Sequence, residues 1–579
     1  MNFIKRHTNI VVAAIYIFLS LVITFPLAIR FGSEIPKGGG DTYQAIAHID
    51  ALSSNLKTLD FSKGFVFLVK NIDTYTPYVI LNLFLNKFAA YNTMFLLSFI
   101  LSGFGTYLLA FYFTKNKSAS FLAGLVFAFS PFHFYQSVAV HLGTMQQEWL
   151  PFFTLYLFKF FEKFRLKYYA LVVLFAFLIA MSEHQLLAFT VLFVAFFAAY
   201  RLITDRTKLL KNKKFWTYGV VSVLFLVIVA VTLFSGLLKV ATSENNFLSV
   251  TTSQAAKYSM MTFDPIAPPA HNTLWPKFGE TMQKIILGGT ERGSYFIGFG
   301  VLAVILFAFY SAKKRKESDF FKDSRFWVIE FFFFYVMALG PTVSIAKHTI
   351  YLPYFLVYKF LPFYGNIRTT GRLFVFAMLG VAILFAYCFV WLVKNRRWKE
   401  SAAAAVLAVI ILLEFFTFPL QTFSLAYSPF YDQLGRDPAQ YKILEIPGST
   451  NYEFVSYQAM TANVHHKGIV GGMPMARKIK GEFAWENDTP VVKQLLYTIP
   501  KGHDPAKKVD DPNIFWQANK ILNAADIRYV TIAKDYVKPR VLSAAEKFIE
   551  KYIKYDSKYE DKFIVAYKIS DLSHAGAEN

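Results

Sequence analysis

Runs of about twenty apolar residues recur along this chain and constrain its fold more than any other feature of the sequence. The clearest runs are residues 10–29, 219–238 and 373–393. A helix of about 20 residues crosses the roughly 30 Å of hydrocarbon in a bilayer and satisfies its backbone hydrogen bonds internally. The composition agrees, because 55% of the residues are hydrophobic and the mean hydropathy is +0.38. The sequence therefore predicts an α-helical polytopic membrane protein.

Basic residues predict the topology, because Lys and Arg concentrate in the cytoplasmic connections of membrane proteins. Alternate connections between the apolar runs are basic, namely 5–6, 115–117, 163–167, 201–214, 313–325 and 394–399. This alternation predicts about eleven spans, a cytoplasmic N-terminus and an extracytoplasmic C-terminus. No small-residue cleavage site precedes Glu34, so we expect the first run to be a retained anchor. The predicted location is the plasma membrane.

The net charge of +22 does not indicate a nucleic-acid surface, because the charge is spread over the membrane half. After residue 420 there are 21 Lys and Arg against 19 Asp and Glu, which leaves +20 on the first 420 residues. Much of that excess lies in the basic connections. We therefore expect no nucleic-acid partner, and we interpret the charge as a signal of membrane topology.

Two domains are predicted, a multi-span transmembrane domain over 1–420 and an extracytoplasmic α/β domain over 421–579. The first contains two long external loops, 30–90 and 239–293. In the second, apolar runs shorten to the length of strands at 442–446, 529–532 and 563–569. Helix-compatible stretches such as 489–497 and 513–523 lie between these runs, which is the pattern of a small α/β domain.

Asp41 is the first candidate functional residue, since it closes the run Gly38-Gly39-Gly40-Asp41 shortly after the first span. Residues 41–57 can form a helix that carries Asp41, Gln44 and His48 on one face. A carboxylate at the membrane boundary can hold a metal ion or accept a proton from a substrate. The alternative is an ordinary solvated loop acid.

Further ionisable residues recur at the predicted external boundary, namely His141, Glu148, Glu183 and His184. Ionisable groups near the apolar layer are costly and tend to be functional. Glu183 and His184 form the corner between two short spans, where Gly, Asn or Ser would suffice. The alternative is that they cap helix ends and face water.

Arg368 and Arg372 are external cations, against the positive-inside trend, and they are four residues apart at an expected helix start. Paired guanidinium groups near helical N–H donors suit a phosphate. The alternative is that both are interfacial anchors, because Arg side chains reach towards water at the ends of spans.

Several short motifs resemble those of the C-type glycosyltransferase superfamily (GT-C), in a branch of bacterial multi-span membrane proteins. They are Phe127-Ala128-Phe129-Ser130-Pro131-Phe132-His133, His141-Leu142, Gln147-Glu148-Trp149-Leu150-Pro151, Arg368-Thr369-Thr370-Gly371-Arg372, Ile443-Leu444-Glu445-Ile446-Pro447 and Asp526-Ile527-Arg528-Tyr529-Val530. The first-loop acid and the external C-terminal domain add to this resemblance, which covers most of the chain.

The resemblance implies a glycosyltransferase of the inverting type that moves a sugar from a polyprenyl-phosphate donor to an envelope glycan or protein. Asp41 would be the base or a metal ligand, with Mg or Mn as the possible cofactor, and Glu148 would be the second acid. The residues implied to line the substrate cavity are His48, His141, Glu183 and His184. Arg368 and Arg372 would hold the lipid-linked phosphate. Many family members carry paired acids in the first loop, whereas Asp41 has no neighbouring acid.

Two other classes of function are open. A transporter or flippase of lipid-linked saccharides needs a polar route across the membrane, but the charges within the spans are few, with Glu330 and Glu414 the main ones. A non-catalytic envelope-assembly protein would use the boundary acids only as caps. No zinc or calcium spacing, Walker loop or dinucleotide fingerprint occurs in the sequence.

Overall fold

The computed structural model describes residues 8–36, 40–59, 74–139, 141–233, 249–270, 272–285, 291, 293–345, 348–361, 363–396, 399–417, 419–448, 451–470, 489–503 and 512–571. These residues are mainly helical. The α-helices of six or more residues are α1 (Thr8–Ile23), α2 (Gly40–Lys57), α3 (Thr76–Asn82), α4 (Lys87–Thr114), α5 (Lys117–Ala128), α6 (Pro131–Val138), α7 (Trp149–Lys163), α8 (Leu166–Ser182), α9 (His184–Leu210), α10 (Lys213–Leu233), α11 (Thr252–Lys257), α12 (Pro276–Ile285), α13 (Phe299–Lys314), α14 (Ser318–Ala338), α15 (Tyr354–Phe360), α16 (Phe374–Arg396), α17 (Glu400–Phe415), α18 (Pro429–Arg436), α19 (Tyr452–His465), α20 (Ala518–Ala524) and α21 (Pro539–Tyr552). The strands are β1 (Ile35–Pro36), β2 (Thr342–Ile345), β3 (His348–Tyr351), β4 (Thr422–Phe423), β5 (Lys442–Ile446), β6 (Gly468–Val470), β7 (Ile527–Ala533), β8 (Tyr555–Glu560) and β9 (Ile564–Ile569).

Four helical segments in the described part of the chain are long and apolar enough to cross a membrane. They are Lys87–Thr114, Lys117–Val138, His184–Thr207 and Thr370–Asn395. Two shorter apolar helices, α1 and α8, have 16 and 17 residues. The prediction of a helical membrane protein is confirmed. The total of about eleven spans and their orientation stay predictions.

The chain divides into two compact units. The first comprises Met1–Phe31, Ile72–Thr74 and Tyr91–Thr422, and the second comprises Gly32–Asn71, Tyr75–Ala90 and Phe423–Asn579. The second unit therefore combines most of the predicted loop 30–90 with the residues of the predicted C-terminal domain. The predicted domains are instead contiguous in sequence.

Helix α16 is the most enclosed membrane segment of the first unit, since 89% of its apolar window is buried. It packs against α5, α13 and α14. Its side chains are apolar on every side, from Phe374 to Trp391, and a helix with this pattern is stable only where neighbours surround it. This helix therefore belongs to the buried core of the first unit.

Local capping chemistry fixes several helix ends of this unit. The Ser130 hydroxyl accepts a hydrogen bond from the His133 N–H at 3.3 Å, and Pro131 takes the first position of α6, where its missing N–H costs nothing. A one-turn helix, Leu142–Met145, then leads towards α7. A 3₁₀ turn, Thr370–Leu373, precedes α16. These breaks place polar side chains at the helix ends.

The second unit contains a five-stranded sheet with the strand order β6-β5-β7-β9-β8. Strands β6, β5 and β7 are parallel to one another. Strand β9 is antiparallel to β7, and β8 is antiparallel to β9. The register pairs Leu444 with Val530 and Glu445 with Thr531. Because side chains alternate between the two faces of a strand, Leu444 faces the apolar core whereas Glu445 lies on the opposite face.

Helix α21 packs its apolar stripe into that core. Val541, Ala545, Phe548 and Ile549 are buried at helical spacing and share a cluster with the inward side chains of the sheet. The sequence prediction of strands near 442–446, 529–532 and 563–569 agrees with the positions of β5, β7 and β9.

Candidate functional site

Arg372 occupies the centre of a buried polar cluster in the first unit. Its Nε and Nη2 donate to Glu291 Oε1 at 3.0 and 2.9 Å. Its Nη1 donates to Thr144 Oγ1 at 3.1 Å, and Nη2 lies 3.0 Å from His141 Nδ1. The Arg372 and Glu291 side chains are only 11% and 5% exposed. The charge of Arg372 is therefore balanced inside the protein, and its donors are largely used there.

Glu291 is held as a carboxylate by its surroundings. Gln136 Nε2 donates to its Oε2 at 2.8 Å, and the Tyr295 hydroxyl lies 3.4 Å from the same atom. Burial by itself would raise the pKa of Glu291, but the charges of Arg372 and His141 and the hydrogen bonds from Arg372 and Gln136 lower the pKa overall. The ion pair is therefore formed at neutral pH.

His141 joins this cluster through a single ring nitrogen. Its Nδ1 lies 2.6 Å from Gln136 Oε1 and 3.0 Å from Arg372 Nη2. A protonated Nδ1 can donate to Gln136, and an unprotonated Nδ1 can accept from Arg372, but one state excludes the other. The position of this proton is therefore coupled to the hydrogen bonds of Arg372.

Gln185 links the first turn of α9 to the segment that precedes α16. Its Nε2 lies 2.6 Å from Thr369 Oγ1 and 3.1 Å from the Thr369 carbonyl oxygen. Arg372 Nη1 lies 3.5 Å from Gln185 Oε1. These contacts hold the start of the membrane segment Thr370–Asn395 against the start of His184–Thr207.

Arg368 lies in a different environment from Arg372. Its guanidinium carbon is 4.4 Å from the centroid of the Tyr258 ring. Among the described residues, none accepts a hydrogen bond from Arg368 or forms an ion pair with it. The expected helical spacing of the two arginines is wrong, because residues 367–369 are not helical and the 3₁₀ turn begins only at Thr370. The two guanidinium groups therefore have separate partners.

Glu183 and His184 form the corner between α8 and α9, as the sequence indicates. Glu183 is the N-cap of α9, and its Oε1 accepts a hydrogen bond from the Gln185 N–H at 3.3 Å. A Cβ atom added at Gly143 would lie 2.5 Å from Glu183 Oε2, so the one-turn helix packs directly on this corner. His184 is exposed. The capping alternative thus describes the contact of Glu183, while a substrate role for either residue stays a prediction.

Glu148 is buried immediately before α7, with 1% of its surface exposed. Its Oε2 has no hydrogen-bond partner among the described residues, and neither amide atom of the adjacent Gln147 has one. Buried polar atoms are paired in the great majority of cases, so an unpaired carboxylate oxygen here calls for an explanation. Burial raises the pKa of Glu148 to about 8, so the group is mainly protonated at neutral pH, and its ionised fraction is a stronger base than an exposed glutamate.

Asp41 and His48 lie in the second unit. Asp41 is the second residue of α2, and its side chain lies outside the described residues. His48 is exposed, and its ring centroid lies 4.5 Å from that of Tyr75. Within the described ranges, no group of three or more His, Cys, Asp or Glu side chains could hold a metal ion.

Sequence reasoning missed most partners of Arg372. Glu291 lies in the predicted external loop 239–293, in which the sequence analysis selected no residue. Gln136, Thr144 and Gln185 carry no motif of their own. Gln185 directly follows the predicted corner residues, and that adjacency is the one signal that could have found it. Glu291 is 81 residues from Arg372, and no local pattern reports such a pairing.

The chain has several apolar helices long enough to cross a membrane, and the Arg372–Glu291 ion pair is buried next to the start of one of them. These features define a polytopic membrane protein with a buried polar cluster. The chain belongs to the family described as Domain of unknown function (DUF6311), whose model matches residues 79–418. No curated protein sequence matches the chain.

Several solved structures are similar to this chain at low identity. One is the archaeal oligosaccharyltransferase AglB from Archaeoglobus fulgidus, in complex with an inhibitory peptide and a dolichol-phosphate, at 12% identity over 98% of this chain and 75% of that chain, with a TM-score of 0.43. Another is the arabinofuranosyltransferase AftD from Mycobacteria, at 12% identity over 98% of this chain and 42% of that chain, with a TM-score of 0.49. The apo form of the Archaeoglobus fulgidus oligosaccharyltransferase gives 12% identity over 99% and 76%, with a TM-score of 0.43. Likenesses at this level do not establish a shared activity or substrate.

Proposed function

We propose that this chain is a membrane glycosyltransferase that moves a sugar from a polyprenyl-phosphate donor to an envelope glycan or protein on the extracytoplasmic face. The observation that carries the proposal is the environment of the Arg368 guanidinium group. Its guanidinium group stacks on Tyr258, has no anionic partner among the described residues, and stands just before the membrane segment Thr370–Asn395. A free guanidinium group at the N-terminal end of a membrane helix suits a lipid-linked phosphate.

The neighbouring ion pair supports this assignment. Because Glu291 neutralises Arg372, the cluster can hold the start of α16 in place without competing for the donor phosphate. Arg368 then carries the positive charge that is available to a ligand. In this proposal Arg372 is a positioning residue that also closes one side of the phosphate site.

The proposed topology has eleven spans, formed by α1, α4, α5 with α6, α7, α8, α9, α10, α13, α14, α16 and α17. Its support is the direction of the helices. Helix α9 begins beside the corner at Glu183 and ends in the basic connection 201–214, and α16 begins beside Arg372 and ends beside 394–399. Under the positive-inside rule, Arg368 and Arg372 would then lie outside, which is part of the proposal. The sheet-bearing residues after α17 would form the extracytoplasmic α/β domain.

The proposed reaction is a single displacement. An acceptor hydroxyl oxygen attacks the anomeric carbon and a carboxylate takes its proton, while the bond from that carbon to the phosphate oxygen breaks and the lipid phosphate leaves with the electron pair. Asp41 and Glu148 are the candidate bases, and the buried, unpaired oxygen of Glu148 supports its candidacy. The residues proposed to line the substrate cavity are His48, His141, Glu183 and His184. A divalent cation at Asp41, Mg or Mn, stays a proposal, and no step is assigned to it.

Arg368→Ala tests the proposal, with Lys359→Ala as the matched control. Lys359 is a cation on α15 in the same proposed external segment, and its ammonium group lies over the ring of its neighbour Phe360. Cells lacking the protein are expected to accumulate a polyprenyl-phosphate sugar, measured by mass spectrometry. Wild type and Lys359→Ala should clear it, whereas Arg368→Ala should slow clearance about 10²–10³-fold, as loss of a charge-stabilising group does. Clearance by Arg368→Ala at the wild-type rate would overturn the proposal.

A second candidate function is transport of a lipid-linked saccharide, and Glu330 favours it. Glu330 lies within α14, is fully buried, and neither carboxylate oxygen has a hydrogen-bond partner among the described residues. Ionisable groups within the apolar layer often mark transport routes. Reconstituted protein that moves the lipid across a bilayer without forming product, and stops when Glu330 becomes Gln, would establish this second function instead.

A further inference from the structure

A cavity of about 310 Å³ lies between α7, α8, α9 and α10 in the first unit, and Arg372 is not among its lining residues. Hydrocarbon and aromatic side chains form nearly all of its wall, including Phe153, Leu157 and Val173. Three of the four hydroxyl groups on its wall have hydrogen-bond partners. The Tyr169 and Ser222 hydroxyls lie 3.1 Å apart, and the Thr190 hydroxyl donates to a backbone carbonyl oxygen at 2.8 Å. The cavity therefore suits an apolar ligand that forms no hydrogen bonds.

Gly219 lines this cavity where the cavity meets the surface. It lies within α10, and a Cβ atom added there would meet nothing within 4 Å. Glycine is less favourable than alanine in the interior of a helix, so Gly219 lowers the stability of α10. Gly219 is exposed and Val191 on the opposite wall is 40% exposed, so the cavity reaches the surface of the helix bundle. A hydrocarbon chain can enter from the side.

Basic residues surround one end of the cavity. Exposed cations lie within two positions, along the chain, of three lining residues: Phe161, Tyr169 and Phe215. Those cations are Lys163, Lys167, Lys213 and Lys214, and Arg165 lies between the first two. Among the described residues, Glu162 is the one carboxylate that pairs with these cations; it lies 3.8 Å from Lys163, and both side chains are about half exposed. This end therefore carries a net positive charge beside an apolar cavity.

From this juxtaposition we infer that the cavity binds one acyl chain of an anionic phospholipid, whose headgroup lies among the basic residues of 163–167 and 213–214. A basic rim next to an intramembrane apolar pocket complements such a lipid at both of its ends. In the proposed topology this is the cytoplasmic end, opposite to Arg368. The site is separate from the proposed donor site and does not depend on the glycosyltransferase assignment.

The test measures lipid binding by purified, delipidated full-length protein, using native mass spectrometry. The probes are phosphatidylglycerol and phosphatidylcholine with identical acyl chains, and a polyprenyl phosphate. Wild type should retain phosphatidylglycerol in preference, and Lys213→Gln combined with Lys214→Gln should reduce that binding about tenfold or more without changing phosphatidylcholine binding. Gly219→Trp should remove binding by filling the cavity, whereas Gly219→Ala, which adds only a methyl group, should retain it.

Equal retention of the two phospholipids would overturn the inference, as would undiminished binding by Gly219→Trp. Preferential retention of polyprenyl phosphate at this site would overturn it as well, because the cavity would then belong to the donor. Ala176→Phe fills the same cavity from α8 and replaces Gly219→Trp if that variant does not fold, a condition that the unfolding temperature reports.

Discussion

Removing the Glu291 carboxylate should destabilise the first unit, because it strands the charge of Arg372. The Arg372 side chain is only 11% exposed. Among the described residues, no other carboxylate lies within hydrogen-bond distance of its guanidinium group. Breaking a buried ion pair by removing one partner costs about 3–5 kcal/mol, and the freed Gln136 amide adds about 1–3 kcal/mol. Glu291→Ala should therefore lower the free energy of unfolding by about 4–8 kcal/mol.

The assay is denaturant unfolding of the purified full-length protein in detergent, followed by tryptophan fluorescence. Glu280→Ala is the matched control, since Glu280 is an exposed acid on α12 in the same connection. That control should change the free energy of unfolding by no more than about 0.5 kcal/mol. Replacing Glu291 and Arg372 together by Leu should recover much of the loss, because an apolar pair carries no stranded charge.

The pH dependence supplies an independent check on the same ion pair. The pKa of Glu291 is lowered in the folded state, so its contribution to stability is fully present above the unfolded pKa of about 4.3. That contribution is lost as the pH falls through the folded pKa. Wild type should therefore lose stability below about pH 4, and Glu291→Gln should lose less over the same interval.

Two results would refute this reasoning. A loss below about 1 kcal/mol in Glu291→Ala would mean that Arg372 is not stranded, because water or another acceptor replaces the carboxylate. Additive effects of the two single substitutions would mean that the residues are not coupled.

Three further predictions concern other positions. Gly371→Ala should destabilise the protein and abolish clearance of the lipid-linked sugar, because the added Cβ would overlap the hydroxyl of the buried Tyr295 ring; a thermal melt equal to that of wild type would contradict this. Glu330→Gln should leave the unfolding temperature within a few degrees of wild type, because the Glu330 carboxyl is buried without a hydrogen-bond partner among the described residues and the amide has nearly the same shape; a large loss of stability would contradict this. Burial raises the pKa of Glu445 despite hydrogen bonds from Tyr431 and others, so its stabilising effect is present below about pH 4.3 and lost as the pH rises through the folded pKa. Glu445→Gln should reduce this loss, measured as unfolding at pH 5 and 7.5, and an unchanged pH profile would count against it.

The helices of the membrane region could be read from the sequence because the signal is local. Hydropathy over about twenty residues decides whether a segment can enter a bilayer. A buried strand gives a short apolar run of about four to eight residues, which is equally local. The predicted helix at 41–57 agrees with α2, and the strand at 442–446 agrees with β5. The number of spans stays a prediction, because several helices are shorter or less apolar than a clear membrane segment.

The candidate site was only partly accessible to such reasoning. His141 and Arg372 were selected by charge and position, and the structure brings them within 3.0 Å of each other. Arg368 was selected by the same argument. Its spacing of four residues from Arg372 suggested that both lie on one face of a helix, but the chain forms only a 3₁₀ turn, which begins at Thr370. The sequence therefore identified the cations without assigning their partners.

The sequence by itself determined that this chain enters a membrane, which of its segments are apolar helices, and which ionisable residues stand at their ends. These properties follow from the free energy of transferring neighbouring side chains out of water, which sums along the chain. Only the tertiary structure decided that Glu291 neutralises Arg372 while Arg368 stays without an anionic partner among the described residues. The reason is that a buried charge selects its partner by distance in space, and the carboxylate that meets Arg372 lies 81 residues away along the chain.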